Sequence, residues 1–193
     1  MTLICRNVLT LEECKQIKLN NWQEGHTNKD KTHKDNLEQI HAKYSELVKQ
    51  RICEHPDIKM KSFIKKMTTP RFNRYNVGQK YAEHVDFFRQ EGIQTDWSFT
   101  LFLTDDYEGG ELVIDGTKVK LPRGDMILYP SGQLHEVLPV TKGTRTAAIG
   151  WAESYVSDVH ERDILTKLAV ELNKGDNVNL SYVYNNLLRK WSK

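Results

Sequence analysis

His84-Val85-Asp86 sets an imidazole and a carboxylate two residues apart, and along a strand positions i and i+2 project from the same face. Alone the pair is weak evidence, because both residue types are common on exposed turns. His135 strengthens it: this second imidazole comes 49 residues after Asp86, behind Gly124-Asp125-Met126-Ile127-Leu128-Tyr129-Pro130. Two imidazoles and one carboxylate match the facial ligand set of non-haem iron(II). Three protein ligands on one face of an octahedral ion leave three positions for a chelating co-substrate and dioxygen, and a fourth would close the site. 2-Oxoglutarate can chelate through its carboxylate and keto oxygens, and its far carboxylate then needs a fixed cation. Arginine suits that task because its planar fork is bidentate and always charged. Arg145, ten residues beyond His135, is placed to provide it.

Such side chains need a β scaffold, and from about Thr69 the pattern has period two with frequent turn signals. Arg71 to Val77, Trp97 to Thr104, Leu112 to Ile114, Lys118 to Leu121, Met126 to Tyr129, Glu136 to Val140 and Thr144 to Trp151 read as strands. Gly109-Gly110, Asp115-Gly116, Arg123-Gly124-Asp125 and Lys142-Gly143 separate them. Many short strands joined this way imply a sandwich or barrel. Before this zone, Thr10-Leu11-Glu12-Glu13 is a capping box that starts a helix. Leu37, Ile40, Tyr44, Leu47, Val48 and Ile52 recur every three or four residues and predict a long second helix, so the first 65 or so residues are expected to be mainly helical after a short strand at Leu3 to Val8. Two more helical stripes close the chain, Ile164-Leu165-Leu168-Leu172 and Val183-Leu187-Leu188-Trp191. The expected class is α+β, with an N-terminal helical support region (1–67), a β core (68–156) and a C-terminal helical extension (157–193).

Composition narrows the function classes. The 193 residues carry 28 basic and 26 acidic side chains, a net charge of +2, without the strong basic bias of a protein that grips nucleic-acid phosphates. That sum hides +4 over residues 1–67, −3 over 68–156 and +1 over the tail. No apolar run approaches the ~20 residues that span a bilayer. No secretory signal is visible at the N-terminus, so a cytoplasmic location is the expectation. Cys5, Cys14 and Cys53 are odd in number and form no Cys-x-x-Cys pair; they read as free thiols. His26, His33, His41, His55 and His160 lack a matching carboxylate and read as structural or solvated.

The ordered segments Arg74 to Asp86, Phe102-Leu103-Thr104, Glu108 to Leu112, Gly124 to Pro130, Leu134-His135 and Val140 to Arg145 resemble the prolyl 4-hydroxylase-like group of Fe(II)/2-oxoglutarate dioxygenases, with the closest look to the bacterial and phage PKHD-type hydroxylases. The resemblance implies a double-stranded β-helix (jelly-roll) core flanked by helices. It implies iron held by His84, Asp86 and His135, 2-oxoglutarate anchored by Arg145, and Tyr75 beside the co-substrate. Some relatives place a tyrosine on the strand after the His-x-Asp turn to bind the distal carboxylate; Ser98 to Leu103 has none, which leaves open which hydroxyl assists Arg145.

The expected activity is hydroxylation of a prolyl or other side chain in a peptide or protein, with 2-oxoglutarate converted to succinate and carbon dioxide and with ascorbate (vitamin C) as a candidate reductant. Dioxygen and the peptide are the expected partners, membrane is not, and a homodimer is one use for the stripe ending at Trp191. Two alternatives stand beside it. A nucleic-acid demethylase on this fold usually carries a second arginine six residues past the first, where this chain has Trp151. A jelly-roll metal-binding or sensor module would have no use for a 2-oxoglutarate anchor.

Overall fold

The computed structural model describes residues 2–25 and 30–193. His26, and part of the polar run between Glu24 and Lys34, lie outside them. The N-terminal zone runs β1 (Leu3–Cys5), α1 (Leu11–Gln16), β2 (Gln23–Glu24), β3 (Lys34–Asp35), β4 (Leu37–Gln39), α2 (Ala42–Glu54), α3 (Pro56–Lys61) and β5 (Ile64–Met67). The core adds β6 (Arg71–Tyr75), β7 (Lys80–His84), β8 (Arg89–Gln90), β9 (Ile93–Gln94), β10 (Trp97–Phe102), β11 (Glu108–Gly109) and β12 (Leu112–Ile114). It continues through β13 (Thr117–Val119), β14 (Met126–Pro130), β15 (His135–Val137), β16 (Val140–Lys142) and β17 (Arg145–Ser154), and the chain ends in α4 (Val159–Leu172) and α5 (Val178–Trp191).

Two antiparallel sheets make the double-stranded β-helix. The major sheet has the order β1-β14-β10-β17-β6-β4-β2, with β5 also on β17; the minor sheet has the order β13-β12-β15-β7-β3. Strand alternation divides the core in two. On β10, Trp97, Phe99 and Leu101 join a cluster with Val48, Ile52 and Ile58 of the N-terminal helices, whereas Phe102 belongs to the cluster between the sheets. On β14, Met126 and Leu128 face the helices while Ile127 and Tyr129 face inward. Because both faces of these central strands are covered, β10 and β14 are buried from end to end.

The capping box forms as the sequence predicts: the Thr10 hydroxyl accepts the Glu13 N–H, and the Glu13 carboxylate accepts the Thr10 N–H. Asp115 and Gly116 both take positive φ, 45° and 77°, the two-residue turn that joins β12 to β13 with Ile114 opposite Thr117. The long second helix is shorter than its spacing suggests. Leu37–Gln39 is a strand paired with β6, Leu37 opposite Arg74, and the helix begins only at Ala42. Leu37 and Ile40 fit a helical period by coincidence, since strand pairing satisfies Leu37's backbone first. The N-terminal zone is also less helical than expected, because β1, β2, β4 and β5 extend the major sheet and β3 the minor one.

At the C-terminus, α4 buries Leu165 and Ala169, with Arg162 and Thr166 beside them, while Ile164 is exposed. The predicted stripe is therefore turned by about one residue. No residue of α5 is buried, and Tyr182 and Val183 stand in solvent. No helix of the described residues is long and apolar enough to cross a membrane.

Candidate active site

The two sheets bring their inner faces to one cavity of about 230 Å³. Odd positions of β6 (Arg71, Asn73, Tyr75) and of β17 (Arg145, Ile149, Trp151) supply the major-sheet wall, and Tyr81, His84, His135 and Val137 supply the minor-sheet wall. Period two thus selects which residues can do chemistry.

His84 closes β7 and His135 opens β15, and these two positions pair directly across the ladder. Their ring centroids lie 4.2 Å apart. Asp86 follows β7 in a loop, so it shares a face with His84 through the turn rather than through strand alternation. One ligand atom from each of His84, Asp86 and His135 falls within 4.8 Å of the others, a spacing one divalent ion can bridge. The Nδ1 of His84 lies 2.8 Å from the Ala82 carbonyl, and the Nδ1 of His135 lies 2.9 Å from the Gln133 carbonyl. A carbonyl can only accept, so each Nδ1 carries the proton and each Nε2 keeps its lone pair for a metal. Burial, and next the His135 imidazole, pull the His84 pKa down to about 4, which keeps that ring neutral near pH 7. Tyr81 stacks on His84 at 3.7 Å and Tyr129 meets His135 edge-on at 5.1 Å, fixing both rings.

Arg145 opens β17 on the opposite wall with 1% of its surface exposed. Its guanidinium lies 5.3 Å from the Tyr75 ring and 5.5 Å from Phe102. Among the described residues no carboxylate comes within ion-pair distance, and its buried Nε has no hydrogen-bond partner. An isolated buried cation costs several kcal/mol, so a site built this way calls for an anion from outside. The far carboxylate of 2-oxoglutarate supplies that charge, and a neutral-imidazole and carboxylate triad suits iron(II); the residues present fit both groups.

Tyr75 is buried against Arg145, as the sequence places it. Burial pushes its pKa well up, with the guanidinium pulling the other way. Sequence reasoning missed Tyr107. Its buried hydroxyl completes no well-formed hydrogen bond among the described residues, and the adjacent Arg145 guanidinium, through its charge and its N–H groups, works against the rise that burial gives its pKa. Gly110, with φ +63°, lets this loop approach: a Cβ there would sit 3.2 Å from the Tyr107 ring and 3.3 Å from Arg145 Cδ. The signal was present in Tyr107-Glu108-Gly109-Gly110, but the glycines read only as a turn.

His33 is exposed, yet its ring lines the cavity 5.7 Å from Tyr81. His41, His55 and His160 are not among the residues that line it. The rim is formed by Val85, Phe87, Gln90 and Trp151, and Phe87 is 74% exposed.

The profile of the 2OG-Fe(II) oxygenase superfamily matches residues 70–153. A PKHD-type hydroxylase of Shewanella sp. (strain MR-4) is 36% identical over 217 aligned positions that cover 97% of both chains. Among solved structures, the viral collagen prolyl hydroxylase of Paramecium Bursaria Chlorella virus-1 in its 2OG complex superposes with a TM-score of 0.60 at 20% identity, over 79% of this chain and 95% of that one. A Trichoplax adhaerens prolyl hydroxylase in complex with a hypoxia inducible factor oxygen degradation domain peptide fragment gives 0.58 at 16%, over 78% and 82%.

Proposed function

The chain belongs to the PKHD-type hydroxylases of the 2OG-Fe(II) oxygenase superfamily, and from that premise we propose that it hydroxylates a prolyl side chain of a peptide or protein. It is an iron- and 2-oxoglutarate-dependent hydroxylase. Balanced, the reaction inserts one oxygen atom of dioxygen into a C–H bond and the other into 2-oxoglutarate, which leaves as succinate and carbon dioxide. Iron(II), when bound, supplies the oxygen activation.

His84, Asp86 and His135 hold the metal through two Nε2 atoms and a carboxylate. Arg145 binds the distal carboxylate of 2-oxoglutarate, Tyr75 packs along the co-substrate, and the Tyr107 hydroxyl is the nearest candidate for the second contact that no residue of Ser98 to Leu103 provides. Phe87 and Trp151 at the rim offer the apolar faces a pyrrolidine ring packs against, and the peptide-bound relative from Trichoplax adhaerens supports a chain-like substrate. Trp151 stands where a nucleic-acid demethylase would carry arginine, which weighs for the peptide. Ascorbate is the candidate reductant for restoring iron(II) after uncoupled turnover.

One observation carries the residue assignment: a metal-spacing triad and an uncompensated buried arginine face each other across a single cavity. Adding Fe(II) and 2-oxoglutarate without oxygen should give a weak visible charge-transfer band, lost in His135→Ala and weakened in Arg145→Ala. Peptides incubated aerobically should gain 16 mass units on proline. A wild-type protein with neither band nor 2-oxoglutarate consumption refutes the assignment.

A further inference from the structure

Asp86 lies beyond the last ladder pair of β7, yet both its backbone and its carboxylate are held. The Asp86 N–H donates to the Ser131 carbonyl at 3.3 Å, and Asp86 Oδ2 accepts the Ser98 hydroxyl at 2.5 Å. Ser98 Oγ is also 2.8 Å from Ser131 Oγ. A serine hydroxyl has one proton, so with that of Ser98 on the carboxylate, Ser131 must donate to Ser98. Both serines are buried. Ser131 is pinned in turn by its own N–H, which donates to the Asp96 carbonyl at 3.3 Å. Four residues later the same segment delivers His135, whose Nε2 is 3.5 Å from the Asp86 Oδ2 that Ser98 bonds.

We infer that Ser98 and Ser131 are positioning residues that set how Asp86 meets the metal. The inference rests on the reading of Asp86 as a metal ligand. A carboxylate can bind a divalent ion through one oxygen or through both. With one lone pair of Oδ2 taken by Ser98 and the carboxylate plane fixed, chelation through both oxygens is disfavoured. Coordination positions then stay free for the co-substrate. Order matters as well, because a carboxylate on a loop would otherwise lose rotational freedom when the ion binds.

Titration of the whole protein with Co(II), followed by visible absorbance, tests this without turnover. Ser98→Ala should weaken Co(II) binding by about tenfold, the usual size for a partner of a metal ligand. Ser131→Ala, which keeps the Ser98 hydroxyl but removes its donor, should show a smaller loss in the same direction. Melting of the metal-free proteins separates this from a general structural role, which would lower the melting temperature and leave affinity alone. Wild-type affinity in a folded Ser98→Ala overturns the inference while the metal assignment stands. Failure of the wild type to bind Co(II) overturns both. Should Ser98→Ala not fold, Ser131→Ala decides alone, and unchanged affinity there overturns the inference.

Discussion

Arg145 stands directly opposite Tyr75 across the β17–β6 ladder, with its guanidinium 5.3 Å from the phenol ring. The aromatic neighbour shields the charge from water without neutralising it. Since neither Tyr75 nor Phe102 can give the guanidinium a counter-charge, the fold tolerates at this position a cation that only a ligand completes.

Arg145→Met should therefore separate stability from function. Loss of a charge-assisted pair worth about 3 kcal/mol predicts a 2-oxoglutarate dissociation constant raised about 100-fold or more. The ligand-free protein should be as stable as wild type or slightly more so, because a buried unpaired cation has gone. Isothermal titration and thermal melting read the two effects. A strongly destabilised variant with normal 2-oxoglutarate affinity would make Arg145 structural.

Arg162 on α4 presents the contrasting case of a buried arginine whose terminal nitrogens and charge have partners within the fold, although its Nε, like that of Arg145, has none. It donates to the carbonyls of Val156 and Ser157, each at 2.8 Å, stacks 4.6 Å from the Trp97 ring and lies 4.0 Å from Asp96. Burial raises the Asp96 pKa, while hydrogen bonds from Ser154 and Gln94 and the Arg162 charge oppose that rise. Arg162→Leu removes the donor to both carbonyls and leaves the buried Asp96 carboxylate with its hydrogen bonds but no counter-charge, and should cost about 3 kcal/mol of stability in urea unfolding. Asp96→Asn in the same background should recover part of the loss.

The thiols give a pH dependence with a definite sign. Burial, and next the Asp57 charge, push Cys5 up to about 12 from 9.0, and burial pushes Cys14 up to about 11 from 9.0. The folded state thus holds protons that the unfolded chain releases. This contribution is whole below pH 9 and is lost as pH climbs through 11 to 12. The urea midpoint should fall above pH 9, and Cys5→Ala should flatten that fall. At pH 8 a thiol reagent should label exposed Cys53 quickly and reach Cys5 and Cys14 only in denaturant. Rapid labelling of all three would contradict the burial of the Cys5 and Cys14 side chains.

What was legible in the sequence followed from residue type. Histidine, aspartate and arginine are conspicuous, so His84, Asp86, His135 and Arg145 were identifiable, and the structure brings all four to one cavity. The glycine turns and the alternating runs gave the core strands within a few residues. Ser98 and Ser131 were not legible, since a serine carries no mark of whether its hydroxyl meets water or a buried carboxylate. Neither were β2, β3 and β4, because two or three residues cannot display a period, and Leu37 with Ile40 satisfied a helical spacing equally well. Tyr107 was hidden for another reason: its approach to Arg145 depends on a loop that the sequence marks only as a glycine turn.

The rim decides how large the substrate is. Phe87 is 74% exposed and borders the cavity, so Phe87→Ala removes contact area without touching the core. A peptide that continues out of the cavity must cross this side chain; a small free substrate that fits inside about 230 Å³ need not. For a peptide the variant should lose about 1–2 kcal/mol of binding, roughly tenfold in KM, with kcat and the KM for 2-oxoglutarate retained. The split matters, because uniform binding lost far from the reacting atoms raises KM alone. A KM for the best peptide that does not move would place the substrate wholly inside the cavity and favour a small molecule over a chain.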